Sequence, residues 1–193
     1  RTDIDGIHNN DPRVVDRTFP LAEISFEEAA ELAYFGAKIL HPSSVLPAQK
    51  ANIPVRLLNT MEPEAPGTII HAAAQNSAQH ARAIAAKDGI TVIKIRSSRM
   101  LLAYGFLKNI FEVFERYRTP IDMITTSEVA VSLTIDDPGR LPQIVEALSS
   151  YAEVEVDRNQ TIVCVVGNFS KEETGVAVKV LESLKNIPLR MIS

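Results

Sequence analysis

The chain contains 193 residues, 46% of them hydrophobic, and its formal net charge is −4. This length and apolar content allow one large domain, or two to three small ones, with packed cores. Acidic and basic residues are mixed along the chain without a basic run, which argues against nucleic acid as a partner. No apolar stretch approaches the about 20 residues that a membrane-spanning helix needs, so we expect no membrane partner.

The chain opens with RTDIDGIHNN, which has the composition of a loop and fits neither a signal peptide nor a transit peptide. It does not begin with Met, and we expect a fragment of a longer protein. The single cysteine, Cys164, lies in the apolar run TIVCVV and is expected in a buried strand. One cysteine cannot form a disulfide within the chain, which predicts a reducing, cytoplasmic location.

The first half of the chain predicts a loop followed by a well-marked helix. Ser25 stands three residues before Glu28, the spacing of a capping box, and the apolar face that follows predicts a helix as far as Leu40. His41-Pro42 is expected to end this helix, because proline disfavours helical geometry in the residue before it. The remaining predictions are a short helix, two strands and a linker with a domain boundary near residue 80: Ser44–Ala51, 52–59, Thr68–His71 and 72–80.

The second half is organised around IDMITTSEVAVSLTI, residues 121–135, which predicts two short strands joined by the polar turn Thr125–Glu128. Before it, the KDG sequence between Ala83–Ala86 and Ile90–Arg96 predicts a hairpin, and GFLKNIFEVFERYR predicts an amphipathic helix. After it, we expect a helix, two strands, a helix with a second capping box, and a last strand: Asp137–Leu148, Val154–Val156, Thr161–Val166, Ser170–Leu184 and Pro188–Ile192.

An internal repeat relates the two parts of this half. A shift of 70 residues places Thr91–Ile93 on Thr161–Val163 and Gly105 on Gly175. A shared order of strand, loop, glycine and helix indicates two related units. The first unit completes the order βαββαβ, the split βαβ arrangement, whereas the second stops after βαβ.

Two cations in the first half are candidates for binding phosphate. Arg13 lies in DPRVV and Lys38 in FGAKILHP, and both side chains suit phosphate oxygens. The alternatives remain open, since Lys38 also suits a helix C-terminus and Arg13 could pair with a surface acid. The sequence has no Walker motif, no dinucleotide fingerprint and no nucleophile elbow. Its four histidines have no metal-ligand spacing, so no metal site is predicted.

Several long blocks together resemble aspartate kinase (aspartokinase), and most closely its lysine-sensitive, monofunctional branch. They are TDIDGIHNNDPRVV, ISFEEAAELAYFGAKILHP, ANIPVRLLNT, EAPGT, GFLKNIF and IDMITTSEVAVSLTID. The resemblance covers essentially the whole chain. It implies the C-terminal part of an amino-acid-kinase α/β sandwich followed by two ferredoxin-like (βαββαβ) ACT domains. The implied limits are 1–80 for the ATP-side domain, 81–90 for a strand of the second ACT domain, 91–157 for the first ACT domain, and 158–193 for the incomplete second one.

The resemblance also implies a reaction, the transfer of the ATP γ-phosphoryl group to the β-carboxylate of L-aspartate, with Mg²⁺ as the accompanying ion. The implied ATP-binding residues are Thr2, Asp3, His8, Asp11, Arg13, Lys38 and Ile39. His8 stands where the family commonly has tyrosine, which puts a ring contact with the nucleotide in doubt. The family's KFGGTS motif and its aspartate-binding residues are not in this sequence, so no catalytic residue is assigned and the chain alone is predicted to be inactive.

The resemblance further implies an amino-acid effector bound between ACT domains of two subunits. The implied contacts are Met100, Ala103, Gly105, Phe106, Leu107, Ile121, Asp122, Thr126, Ser127 and Glu128. A helix N-terminus at Gly105–Leu107 suits the ligand carboxylate, and Asp122 and Glu128 suit ammonium groups, which favours lysine over threonine. Ala103 replaces a serine of some relatives. The alternative is that both acids are solvated strand-end charges.

Three functional interpretations remain open on the sequence alone. The first is an aspartate kinase inhibited by lysine, and the second is a non-catalytic ACT regulatory subunit that binds lysine or threonine. The third, the bifunctional branch, would have a dehydrogenase domain downstream. We expect at least a homodimer through the ACT domains, with a tetramer as the alternative.

Overall fold

The computed structural model describes residues 4–36, 40, 42–72, 81–97, 104–167 and 175–193. The chain forms two compact units. The first consists of Arg1–Lys87 and Ile162–Ser183, and the second of Asp88–Thr161 and Leu184–Ser193. The domain limits implied by the resemblance stay a prediction.

The first unit contains a small three-stranded sheet with helices. Strand β3 lies in its centre, parallel to β1 on one side and antiparallel to β2 on the other. Ile24 of β1, Phe26 and Ile70 of β3 are almost fully buried in one apolar core, which Val166 also joins. The elements are β1 (Glu23–Ile24), α1 (Phe26–Tyr34), α2 (Pro42–Lys50), β2 (Val55–Leu57) and β3 (Thr68–Ile70).

Helix α1 begins where the sequence predicts and ends earlier. The capping box is confirmed, because Ser25 Oγ accepts from the Glu28 amide at 3.1 Å and Glu28 Oε2 accepts from the Ser25 amide at 2.8 Å. The prediction that the helix runs to Leu40 is wrong, because the helix ends at Tyr34. Gly36 adopts a φ of +134°, and a Cβ there would lie 2.4 Å from the carbonyl oxygen of Ala86. The chain leaves the helix at this glycine to pass close to another backbone segment.

The second unit has the order βαββαβ that the sequence predicts. Its elements are β4 (Ala83–Arg96), α3 (Phe106–Arg116), β5 (Ile124–Thr126), β6 (Ala130–Ile135), a 3-10 turn (Pro138–Arg140), α4 (Leu141–Ser149) and β7 (Glu153–Val166). The sheet order is β5-β6-β4-β7, and β6 is antiparallel to both β4 and β5. This is the ferredoxin-like arrangement.

The core of the second unit lies between the sheet and its two helices. Alternate residues of β4, Ile93 and Ile95, are fully buried, as period-2 side-chain alternation requires. Ile110, Val113 and Phe114 of α3 meet them at helical spacing. Helix α4 adds Leu141, Ile144 and Leu148 to the same core.

Three predictions about strands are wrong. The predicted hairpin is one continuous strand, β4, which includes both Ala83–Ala86 and Ile90–Arg96. A type I′ turn needs positive φ at both central residues, and of Asp88 and Gly89 only Gly89 has it, at +78°. The two strands predicted at Val154–Val156 and Thr161–Val166 are likewise one strand, β7. Pro188–Ile192 has no strand structure.

The internal repeat is confirmed as a repeat of elements. Strands β4 and β7 both contain 14 residues and begin 70 positions apart, at Ala83 and Glu153. Helices α3 and α5 (Val176–Ser183) begin at the same spacing. Both long strands contribute residues to both compact units.

Two predicted features fall outside the described residues: most of the 72–80 linker and the Ser170–Glu173 capping box. Among the described helices, none is long and apolar enough to cross a membrane.

Candidate functional site

The predicted ATP-side residues that the structure describes lie in one closed loop, Asp5–Leu21, which we term the N-loop. Its base is closed by a hydrogen bond from the Leu21 amide to the Ile7 carbonyl at 2.7 Å. Further in, the Asn9 amide donates to the Phe19 carbonyl at 3.1 Å, and Asn9 Oδ1 accepts from the Phe19 amide at 2.9 Å. The two sides of the N-loop are therefore joined by hydrogen bonds at its base and further in.

Strand β3 fixes the base of the N-loop through one buried hydroxyl. Thr68 Oγ1 accepts from the Ile7 amide at 2.8 Å and donates to the Leu21 carbonyl at 2.7 Å. Thr68 is fully buried. Strand β3 of the small sheet thus fixes the positions of Ile7 and Leu21, the two ends of the loop.

His8 uses both ring nitrogens inside the N-loop. Nε2 lies 2.7 Å from Asp5 Oδ1, and Nδ1 lies 2.9 Å from Thr18 Oγ1. Its side chain is 18% exposed. Both ring nitrogens have partners within the loop, so the imidazole joins Asp5 to Thr18; its contact with a nucleotide stays a prediction.

Arg13 pairs with an acid of the same loop, as the alternative interpretation of the sequence proposed. Its Nη2 donates to Asp11 Oδ2 at 2.7 Å, its Nε to Asp11 Oδ1 at 3.0 Å, and its backbone amide to Asp11 Oδ1 at 2.8 Å. The Arg13 side chain is 80% exposed. Asp11 thus orients a guanidinium that faces solvent, and its bonds to Asp11 use Nε and Nη2 and leave out Nη1.

This pairing affects the ionisation of both groups. The hydrogen bonds from the Arg13 side chain and backbone lower the pKa of Asp11 below its ordinary value of 3.8. The same carboxylate raises the pKa of Arg13. At neutral pH the pair is therefore fully charged.

Four of the seven predicted ATP-binding residues fall outside the described part of the chain: Thr2, Asp3, Lys38 and Ile39. The same holds for Met100 and Ala103 of the predicted effector contacts. Their roles stay predictions.

The predicted effector residues on the polar turn lie between the end of β5 and the start of β6 in the second unit. Thr126 ends β5, and Thr126, Ser127 and Glu128 are exposed. The Ser127 amide donates to the Ala130 carbonyl at 2.8 Å, which closes a tight turn. The Ser97 amide donates to the Val129 carbonyl at 3.1 Å. The turn therefore lies beside the end of β4, where the chain departs towards α3.

The N-terminus of α3 supplies donors for an anionic group. Gly105, in the left-handed region with a φ of +83°, is the N-cap, and no side chain caps the first turn. Phe106 is buried, whereas Leu107 is exposed. The amides of the first turn thus have no side-chain acceptor from the cap residue.

Ile121 and Asp122 lie towards the opposite end of β5. The Asp122 amide donates to the Thr134 carbonyl at 2.9 Å, and Thr134 pairs with Val92 in the middle of the sheet. Thr126 is four residues along the extended chain from Asp122, a span of roughly 13 Å at about 3.3 Å per residue. One copy of the unit therefore does not bring Asp122 next to Glu128.

Sequence reasoning missed the residues that hold the N-loop in place. Asp5 and Thr18 hold His8, Asn9 ties the two sides of the loop, and Thr68 anchors its base. Asx-rich loop sequence indicated a turn around Asn9. Nothing local indicated Thr68, because its partner lies 61 residues away.

No metal centre is assigned. Among the described residues, no group of three or more His, Cys, Asp or Glu side chains could hold a metal ion. Two acids of the N-loop already have partners, Asp5 with His8 and Asp11 with Arg13.

The fold defines a two-part protein, in which a small α/β segment that carries the N-loop precedes a ferredoxin-like unit. Residues 1–59 match the sequence profile of the amino acid kinase family. The chain is 40% identical over 179 residues to a chloroplastic aspartokinase 3 of Arabidopsis thaliana, an alignment that covers 88% of this chain and 32% of the relative.

Solved structures agree with this likeness. Escherichia coli aspartokinase III, in complex with aspartate and ADP, superposes with a TM-score of 0.87 at 36% identity, over 98% of this chain and 44% of that one. The same enzyme in complex with lysine and aspartate gives a TM-score of 0.82 at 37% identity, over 100% of this chain and 44% of that one. A C-terminal regulatory domain assigned to aspartate kinase of Porphyromonas gingivalis is 50% identical, with a TM-score of 0.51, over 57% of this chain and 76% of that one.

The chain belongs to the aspartokinase family. It spans about a third to under half of the length of the full-length relatives, 32% of the Arabidopsis enzyme and 44% of the E. coli one.

Proposed function

We propose that this chain is part of an aspartate kinase that transfers the ATP γ-phosphoryl group to the β-carboxylate of L-aspartate and is inhibited by lysine. The observation that supports this most strongly is the superposition of 98% of the chain on an aspartokinase that holds aspartate and ADP. Within that frame, the N-loop presents an oriented guanidinium, and the second unit presents an exposed polar turn.

Arg13 has the clearest role on the nucleotide side. Phosphoryl transfer depends on positioning and on neutralising the negative charge of the phosphates. A guanidinium held by Asp11 and 80% exposed suits that task, because its fork geometry matches phosphate oxygens. Mg²⁺ would accompany ATP in such a transfer, bound through the phosphates and one or two carboxylates of the whole enzyme.

The proposed activity has a direct test in the enzyme that contains this chain. Aspartate and ATP should yield an acyl phosphate that hydroxylamine traps as the hydroxamate. Arg13→Gln should raise the KM for ATP about tenfold, the loss expected for one charged hydrogen bond, with little change in the KM for aspartate. Arg17→Gln, an exposed arginine of the same loop, is the matched control. Hydroxamate formation that does not depend on aspartate would contradict the proposal.

The second unit is the proposed effector site. Thr126–Glu128 and the first turn of α3 offer hydroxyls, a carboxylate and amides without a side-chain cap, which match the carboxylate and ammonium groups of an amino acid. The separation of Asp122 from Glu128 favours a site that takes these acids from two copies of the chain. The E. coli relative in complex with lysine supports lysine as the ligand, with threonine as the alternative.

Calorimetric titration separates the two ligands. Lysine should bind saturably, with a stoichiometry of one per chain in a dimer, and threonine should give no heat beyond dilution. Heat from threonine alone would replace lysine in the proposal.

A second candidate function is a regulatory subunit without catalysis. The 50% identity to a C-terminal regulatory domain favours it, over 57% of this chain. The amino acid kinase match at residues 1–59 favours the enzyme instead. A cytoplasmic location stays a proposal, drawn from the single cysteine, and relatives include chloroplastic enzymes.

A further inference from the structure

A buried ion pair lies where β4 starts in the first unit. Arg82 Nη1 donates to Glu28 Oε2 at 2.9 Å, and the two side chains are only 7% and 11% exposed. Arg82 Nη2 donates to the Glu23 carbonyl. One guanidinium thus joins the residue before β4 to helix α1 and strand β1, which are 54 to 59 residues away in the chain.

The acid of this pair also belongs to the capping box of α1. Glu28 Oε2 accepts from the Ser25 amide at 2.8 Å as well as from Arg82. The guanidinium therefore holds the first turn of the helix that leads towards the predicted ATP-binding segment. Neither Arg82 nor Glu28 is used by the reaction or the effector site proposed above.

The backbone of the same segment holds the N-loop. The Arg82 amide donates to the Val166 carbonyl at 2.8 Å. Two residues further on, the Ile84 amide donates to the Asn9 carbonyl at 2.8 Å. Asn9 is the residue that ties the two sides of the N-loop, next to His8. Arg82 and Ile84 thus fix helix α1 and the N-loop to one short stretch of chain.

The strand that starts here continues into the other unit. β4 runs without interruption from Ala83 to Arg96, and Thr91–Arg96 pair with β6, the strand that follows the polar turn. β4 therefore has residues in both units: Ile84 bonds to the N-loop, and Thr91–Arg96 pair with β6.

We propose that Arg82 is a positioning residue for the nucleotide side of the enzyme, acting through Glu28 and through the Ile84–Asn9 hydrogen bond. Its guanidinium sets the start of β4 against α1 and β1, and this in turn sets the position of the N-loop. Because β4 also belongs to the sheet beside the effector turn, Arg82 connects nucleotide affinity to inhibition. This inference rests on the proposed function, since it assigns Arg82 a part in that reaction.

The test uses the enzyme that contains this chain, with the double variant Glu28→Gln, Arg82→Met. A lone Arg82→Met would leave a buried carboxylate without its cation and endanger folding. Glutamine keeps the capping box, and methionine fills a similar volume. The matched control is Arg56→Met, an exposed arginine of the first unit that donates to the Pro66 carbonyl.

The double variant should raise the KM for ATP about tenfold, with kcat within about twofold, because ground-state positioning is lost and chemistry is not. Saturating lysine should inhibit less completely, because the coupling between the two sites is weakened, although calorimetry should find lysine binding unchanged. The Arg82→Lys variant keeps the charge but loses the forked guanidinium, and its KM for ATP should lie between those of the wild type and the double variant. The Arg56→Met control should match the wild type. A KM for ATP and an inhibition curve within about twofold of wild type would overturn the proposal.

A second readout separates this proposal from the proposed function. Hydrogen exchange at the Ile84 amide should accelerate at least about tenfold in the double variant, while amides in the β4–β6 ladder of the second unit keep their protection. If the wild-type enzyme makes no aspartyl phosphate but the double variant still exchanges faster at Ile84, the proposed function is wrong and the role of Arg82 in holding the loop stands. Unchanged exchange at Ile84 would show that the guanidinium does not hold the loop.

Discussion

At the scale of single residues, the N-loop shows how one acid can prepare a cation for a ligand. Asp11 accepts three donors from Arg13, and the two groups stay charged because each stabilises the charged form of the other. The pair is exposed, so its contribution to stability is small. The pair matters because Asp11 fixes the orientation of the Arg13 guanidinium.

The ionisation of Asp11 gives a prediction about pH. Hydrogen bonds from Arg13 lower the pKa of this carboxyl, so any support it gives the loop is fully present above 3.8 and is lost only as pH falls through the lowered pKa. The KM for ATP should therefore show no Asp11 titration between about pH 5 and 8.

Arg13→Gln should raise the pKa of Asp11 towards 3.8 in a carboxyl NMR titration, though not fully, since the backbone amide still donates. Arg17→Gln should leave it unchanged. An Asp11 pKa that does not move in Arg13→Gln would contradict the assigned cause.

Cys164 gives a second prediction at this scale. Burial raises the pKa of its thiol above 9.0, and the nearby Glu31 carboxylate raises it further. Because only the thiolate reacts, alkylation at pH 8 should be about tenfold slower in the folded protein than in denaturant. Glu31→Gln should speed the folded-state reaction, and equal rates before and after unfolding would contradict burial.

At the scale of elements, the sequence predicted best what depends on near neighbours. The Ser25–Glu28 capping box and the 3.6-residue period of α3 are local patterns, and both appear where expected. The end of α1 depends on the close approach of Gly36 to Ala86, which lies 50 residues further along the chain. The hairpin prediction failed because Asp88 does not have the positive φ that a type I′ turn requires. Such long-range constraints leave no trace in a local pattern.

The same limit applies to the candidate site. Arg13 and Asp11 are two residues apart, and a loop-anchored pair could be anticipated from DPR. The partner of Thr68 lies 61 residues away and that of Arg82 lies 54 away, so neither contact could be predicted without the fold.

The capping box should contribute measurably to stability. Ser25→Ala removes the acceptor for the Glu28 amide and should lower the free energy of unfolding by about 1 kcal/mol. Ser44→Ala, an exposed position in α2, should change it by less than about 0.5 kcal/mol. Chemical denaturation measures both, and equal values would show that the cap is dispensable.

Two glycines form a matched pair for a prediction about backbone geometry. Both have positive φ, but a Cβ at Gly36 meets the Ala86 carbonyl at 2.4 Å, whereas nothing lies within 4 Å of one at Gly89. Gly89→Ala should cost only the conformational penalty, about 1 kcal/mol. Gly36→Ala should cost about 3 kcal/mol, since the chain must also shift away from Ala86. A smaller loss at Gly36 than at Gly89 would contradict the close approach.

At the scale of the whole molecule, the chain combines a kinase-side segment with a ferredoxin-like unit through shared strands. β4 and β7 have residues in both compact units, and the 70-residue repeat places them at equivalent positions. Regulation in such a protein is a coupling free energy between two sites. In the proposed enzyme, we expect the strands that have residues in both units to carry that coupling.

The most direct measurement of the central claim is inhibition of aspartate-dependent ADP formation by the enzyme that contains this chain, with lysine and threonine compared. Lysine should inhibit, and Glu128→Gln should raise the half-maximal concentration about tenfold, the loss of one charged hydrogen bond. Glu146→Gln, an exposed acid on α4, should leave it unchanged. ADP formation that does not need aspartate, or inhibition by threonine without lysine, would contradict the account.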